Sequence, residues 1–458
     1  MRPRGTHRLH LLTRFVVPFL LFTSPEAAAQ RSVMLQLNFT NRSGVALTWQ
    51  SGSVVPPPGL PIFPDYQVHR SYDLENWAPI GEPFIGNIGG SSRLLSSVDS
   101  GADESGAFYR VEASVDLPFA DLIGEELNGA ELLGANLFGA DLFSARLGNA
   151  ILRDAILSGA DLRFAILTNT DLTGADLFAA KMFETDLSFA DLTRADVSFG
   201  NLGSADLFVA TLRDADLRSA VLSDADLEFA SLHGAQLDQG TVIADKWRLV
   251  WEIVNPGAPG RDLQRVDLSF ADLSDADLRK ADLRFADLSG VFAAGTDLRG
   301  ANLLNANLRF IDLRSTRFDT NTLVDAKTRL IWEIVNDGAP GRDLHGRDLS
   351  NAILAGGNLS GANLTNAFFN LSFLNEATLV DANLSDARLV NVVLRDADLT
   401  GANLTRADLS RADLTRANLS RSNLTRANLR NADIEGADFA GAVFNQTIMP
   451  DGTIKSGP

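Results

Sequence analysis

From Leu117 to Val242 every fifth residue is apolar, an unbroken run of 26 repeats in one register. Two places before these residues, from Ala130 to Gly240, Ala holds 19 of the 23 positions, with Thr170, Thr185, Gly200 and Gly240 as the others. In an α-helix five residues swing a side chain by roughly 140°, which would scatter the leucines around the whole surface. In a flat strand an odd spacing sends successive leucines to opposite faces. A spacing of two does suit a strand: Ala407 and Leu409 can point inward while Asp408 points out. The pattern therefore predicts a short extended piece, then a two-residue corner that re-aims the next leucine at the same axis. A chain that turns one corner per pentad coils, and each coil lies ~4.8 Å from the one below.

Two further blocks, Leu263 to Leu323 and Leu344 to Phe444, add 13 and 21 repeats, for 60 in all. The register falters in "SGVFAAGTDL", where Ala293 takes the leucine position and Phe292 is expected to fill the core. Of the 16 prolines only Pro256, Pro259 and Pro340 lie between residues 119 and 449, all in the breaks, as a backbone ladder requires. These A(D/N)LxX pentads resemble the pentapeptide-repeat family. The resemblance implies an all-β fold, a right-handed quadrilateral β-helix in which four pentads make one square turn, with the leucine and the small residue inside. Sixty repeats would then make about 15 coils, a rod roughly 70 Å long. A leucine column with no interior polar residue leaves no cavity, so a site must lie on the outside or in the breaks.

The breaks, residues 241–263 and 322–344, are identical at 16 of 23 positions. In the first, Trp247, Val250, Trp251 and Val254 fall on one helical face; in the second, Ile331, Trp332 and Val335 do, with Thr328 replacing the first tryptophan. Each predicts a short helix that packs through Trp247 and Trp251, or Trp332, before "GAPG" stops it and turns the chain. Arginine then stands where the small inward residue belongs, as Arg261 and Arg342, with Arg347 following. An unpaired guanidinium cannot enter the leucine column. The expected arrangement is a clamp of Arg261 on Glu252 and Arg342 on Glu333, with arginines that simply face solvent as the plainer reading.

The segment 1–29 has a basic start (Arg2, Arg4, Arg8, Arg14), an apolar run from Phe15 to Phe22 and small residues at Ala27–Ala29. It reads as a secretory signal cleaved before Gln30, which makes the chain exported, to periplasm, cell surface or medium, with no membrane span in the mature form. Residues 30–114 differ in kind from the repeats. All three tyrosines are there, and "VALTWQS", "DYQVHRS", "WAPIG", "RLLSSVD" and "AFYRVEAS" alternate apolar and polar residues between turns. The stretch resembles fibronectin type III-like modules, which implies a β-sandwich used for adhesion or spacing; carbohydrate binding by its aromatics is the sharper reading. The chain thus divides into a signal (1–29), a sandwich (30–114), solenoid blocks (115–242, 263–323 and 344–446), helical inserts (243–262 and 324–343) and a tail (447–458).

The formal net charge is −18, and −21 once the signal is removed, which argues against nucleic acid or anionic lipid as partner. Without cysteine no disulfide is available. His69, His233 and His345 stand alone, no catalytic constellation emerges, and no cofactor or metal is expected; calcium on the aspartate ladders lacks the glycine-rich nonapeptide. Arg406, Arg411, Arg416, Arg421 and Arg426 all occupy corners near the C-terminus. They form either local pairs with Asp408 and Asp413 or a docking belt for an acidic partner. The sequence favours a non-enzymatic exported scaffold, an acidic protein-binding rod whose partner is an unknown protein or surface glycan, with a homodimer left open. The competing reading, implied by the family resemblance, is a DNA mimic that binds DNA gyrase.

Overall fold

The computed structural model describes residues 117–457, together with the backbone of six strands nearer the N-terminus. These are β1 (Val33–Thr40), β2 (Gly44–Ser51), β3 (Asp65–Ser71), β4 (Ala78–Ile85), β5 (Leu94–Leu95) and β6 (Phe108–Ala113). They pair antiparallel as two three-stranded sheets, β1-β2-β5 and β4-β3-β6. The expected signal, and the side chains that would define a fibronectin-like sandwich, lie outside the described residues. The chain divides into two compact units, Met1–Ala244 and Asp245–Pro458.

In the first unit, residues 20 apart are bridged in parallel, as in Asp121–Asp141–Asp161, so four pentads close one turn. The pentad Ala140–Ser144 shows how its backbone is satisfied. Asp141 N–H donates to Ala120 O in the coil before (2.8 Å); Leu142 and Ser144 N–H donate to Asp161 O (2.7 Å) and Arg163 O (2.9 Å) in the coil after. Ala140 N–H closes the corner onto Leu137 O at 3.0 Å. One donor is left, that of Phe143, and the Asp141 carboxylate takes it at 3.2 Å. All five N–H groups are paired, which a nearly dry wall requires. Leu142, Ala140 and most of their counterparts along the column are buried.

The corner is a four-residue turn with positive φ only at its third residue, the signature of a type II turn. That position is glycine in places, but it is also Phe119 (φ 58°), Arg194 (φ 60°) and Val209 (φ 58°). A left-handed L-residue costs about 1–2 kcal/mol. The cost is tolerated because the strained residue still donates to the next coil, as Val209 does to Glu228 O at 3.0 Å. The expectation of a wholly apolar interior is corrected: Thr170, Thr185 and Ser372 are buried at the small inward position. Each hydroxyl donates to a leucine carbonyl in the coil before, at 2.8, 2.7 and 2.7 Å, so none is left unsatisfied. Phe292 is also corrected. The two-residue alternation turns it outward, 38% exposed, while Val291 fills the space beside Ala293.

The first unit ends with β7 (Val221–Leu222) paired in parallel with β8 (Val242–Ile243). The second holds α1 (Asp245–Val254) and α2 (Ala326–Asn336). Asp325 caps α2, accepting from Lys327 N–H (2.9 Å) and Thr328 N–H (3.0 Å), and Gly338 (φ 75°) ends it by donating to Ile334 O at 3.2 Å. The buried faces are Trp247, Val250 and Ile253 in α1 and Thr328, Leu330, Ile331 and Ile334 in α2. Trp251 and Val254, and in the copy Trp332 and Val335, are only half-buried, contrary to the expected face. The reason is register: Ile253 and Ile334 lie five residues before Ala258 and Ala339, which already occupy leucine positions. Ala258 N–H donates to Asp277 O and Ala339 N–H to Asn358 O, both at 2.8 Å. The first glycine of "GAPG" stops the helix, but "APG" is itself the first corner of the resumed coil. Pro259–Gly260 and Pro340–Gly341 are its two central residues, so the coil restarts one pentad before Leu263 and Leu344.

Within the second unit the coils run on across α2. Phe310 N–H donates to Asn351 O at 2.9 Å, and α2 is seated between Thr316, whose carbonyl accepts from Trp332 Nε1 at 3.0 Å, and Gly357 beside Ile334. A hairpin of β9 (Thr447–Ile448) and β10 (Ile454–Lys455) follows the last coil, with Leu429 N–H donating to Ile448 O at 2.8 Å. Solenoids need such end caps.

Asp206 accepts from Phe208 N–H at 2.9 Å. Asp206→Ala should cost about 1 kcal/mol through the orphaned donor, and Asp206→Asn close to nothing, because the amide oxygen accepts as well. Urea denaturation followed by circular dichroism reads the difference; equal losses would make the effect one of charge.

Candidate functional site

With leucine and alanine filling the interior, the exterior faces and corners carry whatever the chain presents. Three kinds of feature stand there. The first is the aspartate ladder, whose like charges at strand spacing are costly unless screened. Where the residue after the leucine is arginine, its guanidinium reaches back over the aspartate. Arg163 grips Asp161 with both contacts at 2.7 Å, and Arg284 grips Asp282 at 2.9 and 2.6 Å. Arg279 and Arg299 repeat the grip on Asp277 and Asp297, and hydrogen bonding by the arginine is the main reason these carboxyls sit below their ordinary range.

The second feature is phenylalanine, which the sequence reading passed over. It recurs near the same corner of successive coils and stacks outside the wall. Phe143, Phe164 and Phe183 stand 5.3 and 6.3 Å apart, and Phe189, Phe208 and Phe229 5.6 Å apart at each step. Phe178–Phe199 and Phe119–Phe138 add two shorter ladders at 5.5 and 5.4 Å. The signal was legible: a comb of one coil's length laid over the corner positions picks them out.

The third feature is the pair of inserts. Arg261 Nη1 lies 2.8 Å from Glu252, and Arg342 Nη1 lies 2.6 Å from Glu333. Both arginines remain largely exposed, so neither guanidinium enters the column. A tether that the sequence reading missed holds the other end of each helix: Lys246 to Asp267 at 3.4 Å and Lys327 to Asp348 at 3.0 Å. Trp247 is buried beneath Lys246, whose Nζ lies 4.7 Å from the ring centroid; Trp251 is half-buried. Trp332 stacks on Phe318, with centroids 5.2 Å apart and planes at 10°, and Arg329 lies over both rings.

The chain leaves the coil by a device repeated as "DQGT" and "DTNT". Asp238 accepts Ser219 N–H at 2.9 Å, and Asp319 accepts Gly300 N–H at 2.9 Å, so each carboxylate replaces a main-chain carbonyl of the coil that stops there. Thr241 and Thr322 then donate to Leu217 O (2.9 Å) and Leu298 O (3.0 Å). The Ser219 N–H is the main reason the Asp238 carboxyl is held down to about 2.

The five C-terminal arginines sit on corners with positive φ, and Arg406 and Arg426 share a corner in successive coils. Their partners are not Asp408 and Asp413, whose side chains leave the coil from the faces. Arg406 and Arg416 reach instead to the same corner of the preceding coil, Asp386 (Nε–Oδ1 2.6 Å) and Asp396 (2.7 Å). Arg426 bonds Gln446 at 3.0 Å, and among the described residues Arg411 and Arg421 have no acidic partner. A shallow notch of about 330 Å³ opens between Arg314 and Glu376 over Ala355 and Gly356, but Arg314 is already held by Asp312. Among the described residues no group of three or more His, Asp or Glu is placed to hold a metal, and no helix is long and apolar enough to cross a membrane.

The family model "Pentapeptide repeats" matches residues 116–240, 262–319 and 343–446 in overlapping copies. The chain belongs to the pentapeptide-repeat family, whose members form right-handed quadrilateral β-helices. Among solved structures it is similar to HetL, a pentapeptide repeat protein involved in heterocyst differentiation regulation from the cyanobacterium Nostoc sp. Strain PCC 7120. Identity is 25% and TM-score 0.20, covering 74% of this chain and 92% of that one. It is also similar to QnrB1, a plasmid-mediated fluoroquinolone resistance protein, at 17% identity and TM-score 0.21, over 45% and 88%. A pentapeptide repeat protein of the Arabidopsis thaliana thylakoid lumen shares 32% identity at TM-score 0.16, over 26% and 71%. No curated protein matches the chain.

Two outcomes test this geometry. Asp238 has a folded-state value of about 2, against about 3.9 unfolded. Its contribution is therefore complete above about pH 4 and lost as pH falls through 2. Asp238→Asn should lower the thermal midpoint at pH 7 and flatten the acid limb between those values. Glu333→Ala should cost no more than about 1 kcal/mol, as expected of an exposed pair, and speed hydrogen exchange within α2; unchanged exchange there would reject a clamp.

Proposed function

We propose that this chain is a non-enzymatic, exported scaffold that binds another protein through the outer surface of its coils. The observation that carries this reading is the contrast between the two sides of the wall. The interior is spent on leucine and alanine, while the exterior repeats aspartate and phenylalanine at coil spacing. Such a surface is rigid before it meets a partner, so binding costs little ordering entropy. Export rests on the signal-like segment 1–29, and the front segment adds an adhesion or carbohydrate-binding module to the reading. The clamp residues Glu252, Arg261, Glu333 and Arg342 serve to hold the inserts in place, and the arginine corners from Arg406 to Arg426 offer a second, basic docking belt.

One observation favours a competing reading, the DNA mimic that binds gyrase: residues 117–244 carry 20 acidic side chains against 7 basic ones. Cell fractionation with N-terminal sequencing separates the two. A chain that begins at Gln30 outside the cytoplasm is expected; an uncut cytoplasmic chain that inhibits gyrase supercoiling would replace the scaffold with the mimic.

A further inference from the structure

The phenylalanine ladder of residues 189, 208 and 229 is an apolar strip on the outside of the wall. Phe189 is 52% exposed, Phe208 and Phe229 are half-buried, and the rings meet edge to face at 78° and 89°. On the adjoining face, two or three residues before each ring, runs Asp186–Asp206–Asp226, bridged rung to rung. Asp161, Asp171 and Asp216 of the same unit are held by arginines, whereas among the described residues none of these three has a basic partner within ion-pair distance. Asp206 and Asp226 bond only backbone N–H groups, and Asp186 bonds Ser188 and Thr168. A partly exposed aromatic strip beside an uncompensated acidic one is doubly unfavourable in isolation. Both terms are relieved by one kind of partner.

We propose that this strip, resting on the protein-binding reading above, docks an amphipathic basic helix of a partner protein. The charge complementarity selects a cation, and the ladder selects an apolar stripe beside it. Spacing selects a helix: its turns advance 5.4 Å, against ~4.8 Å per coil, so drift is only about 0.6 Å per rung. An extended strand repeats its side chains at about 6.7 Å and loses register at once. Edge-to-face rings give no flat platform for a sugar, and the aspartates repel anionic lipid and nucleic acid. Lysine or arginine over the phenylalanines gains cation–π attraction as well.

The test titrates the full chain with a fluorescent Leu/Lys amphipathic peptide of about five turns, against a scrambled peptide of equal charge. Micromolar binding that falls as salt rises is expected. Phe189→Ser/Phe208→Ser/Phe229→Ser should weaken it at least tenfold, and so, separately, should Asp186→Asn/Asp206→Asn/Asp226→Asn. Both variants should fold: Ser204 and Ser219 adopt the corner conformation of Phe189 and Phe229, Ser188 and Ser198 hold the place of Phe208 after the leucine position, and Asn201 holds the equivalent position before a leucine on another face. Circular dichroism checks that. Equal binding of the scrambled peptide, or indifference to either variant, would overturn the inference. So would zwitterionic vesicle binding, or self-association that the serine variant abolishes. A strip that fails here in a chain still found exported and free of gyrase inhibition defeats this inference alone; an uncut, gyrase-inhibiting chain defeats the reading beneath it.

Discussion

Each pentad has five backbone donors, and coils stacked at strand spacing can satisfy only three of them from above and below. The fourth closes the corner. The fifth, one place after the leucine, faces outward with no carbonyl in reach, and the residue one place before the leucine supplies its acceptor. Phe178, Thr193 and Phe208 are all held this way by Asp176, Asp191 and Asp206, at 3.0, 2.9 and 2.9 Å. Where that residue cannot accept, a side chain of the previous coil can take its place. Arg146 leaves Gly148 N–H unserved, and Asn128 of the previous coil takes it at 2.8 Å. The leucines fill the column, and the outward carboxylate or amide supplies the acceptor that the neighbouring coils cannot.

This changes what the acidity means. Aspartate and asparagine cap equally well, so the cap fixes a side-chain oxygen and leaves the charge free. The two units use that freedom differently. Residues 117–244 carry 20 acidic against 7 basic side chains, whereas residues 245–458 carry 28 against 24. In the second unit arginines grip the caps in series; in the first, most caps are bare. Net charge is thus a property chosen per unit on a scaffold indifferent to it, and it bears on partners rather than on the fold.

Much of this was readable in the chain. The five-residue period, the alternation of Ala407 and Leu409 around Asp408 and the exclusion of proline together required a coil with its leucines inside. The duplicated insert announced a repeated device, and the pairs Arg261–Glu252 and Arg342–Glu333 could be placed from it. What was not readable turned on backbone geometry. Nothing in the letters marks Val209 or Arg194 as left-handed, because the corner imposes that φ on any residue. The buried helix faces were misjudged by one step because helical periodicity was counted alone, while Ile253 and Ile334 were already answering to the pentad register. Phe292 was sent inward on hydrophobicity, and the alternation sent it out. The phenylalanine combs were missed because at five-residue resolution they look like scattered substitutions.

The corner is therefore where the fold commits least in side-chain identity and most in backbone. Its third residue must accept positive φ, and Phe, Arg, Glu, Asp, Val and Gly all do so here. A position that fixes its direction without fixing its chemistry is well suited to recognition. Side chains project from it at a constant height per coil, and a change in one does not disturb the column. Departures from the coil obey a stricter rule. The chain leaves it for a helix only where an aspartate, Asp238 or Asp319, can stand in for the missing carbonyl. It returns only where alanine, proline and glycine can form a corner without a leucine. Inserts are confined by hydrogen-bond accounting, while surface chemistry is nearly unconstrained, and that asymmetry is why one repeat can carry different binding surfaces along a single chain.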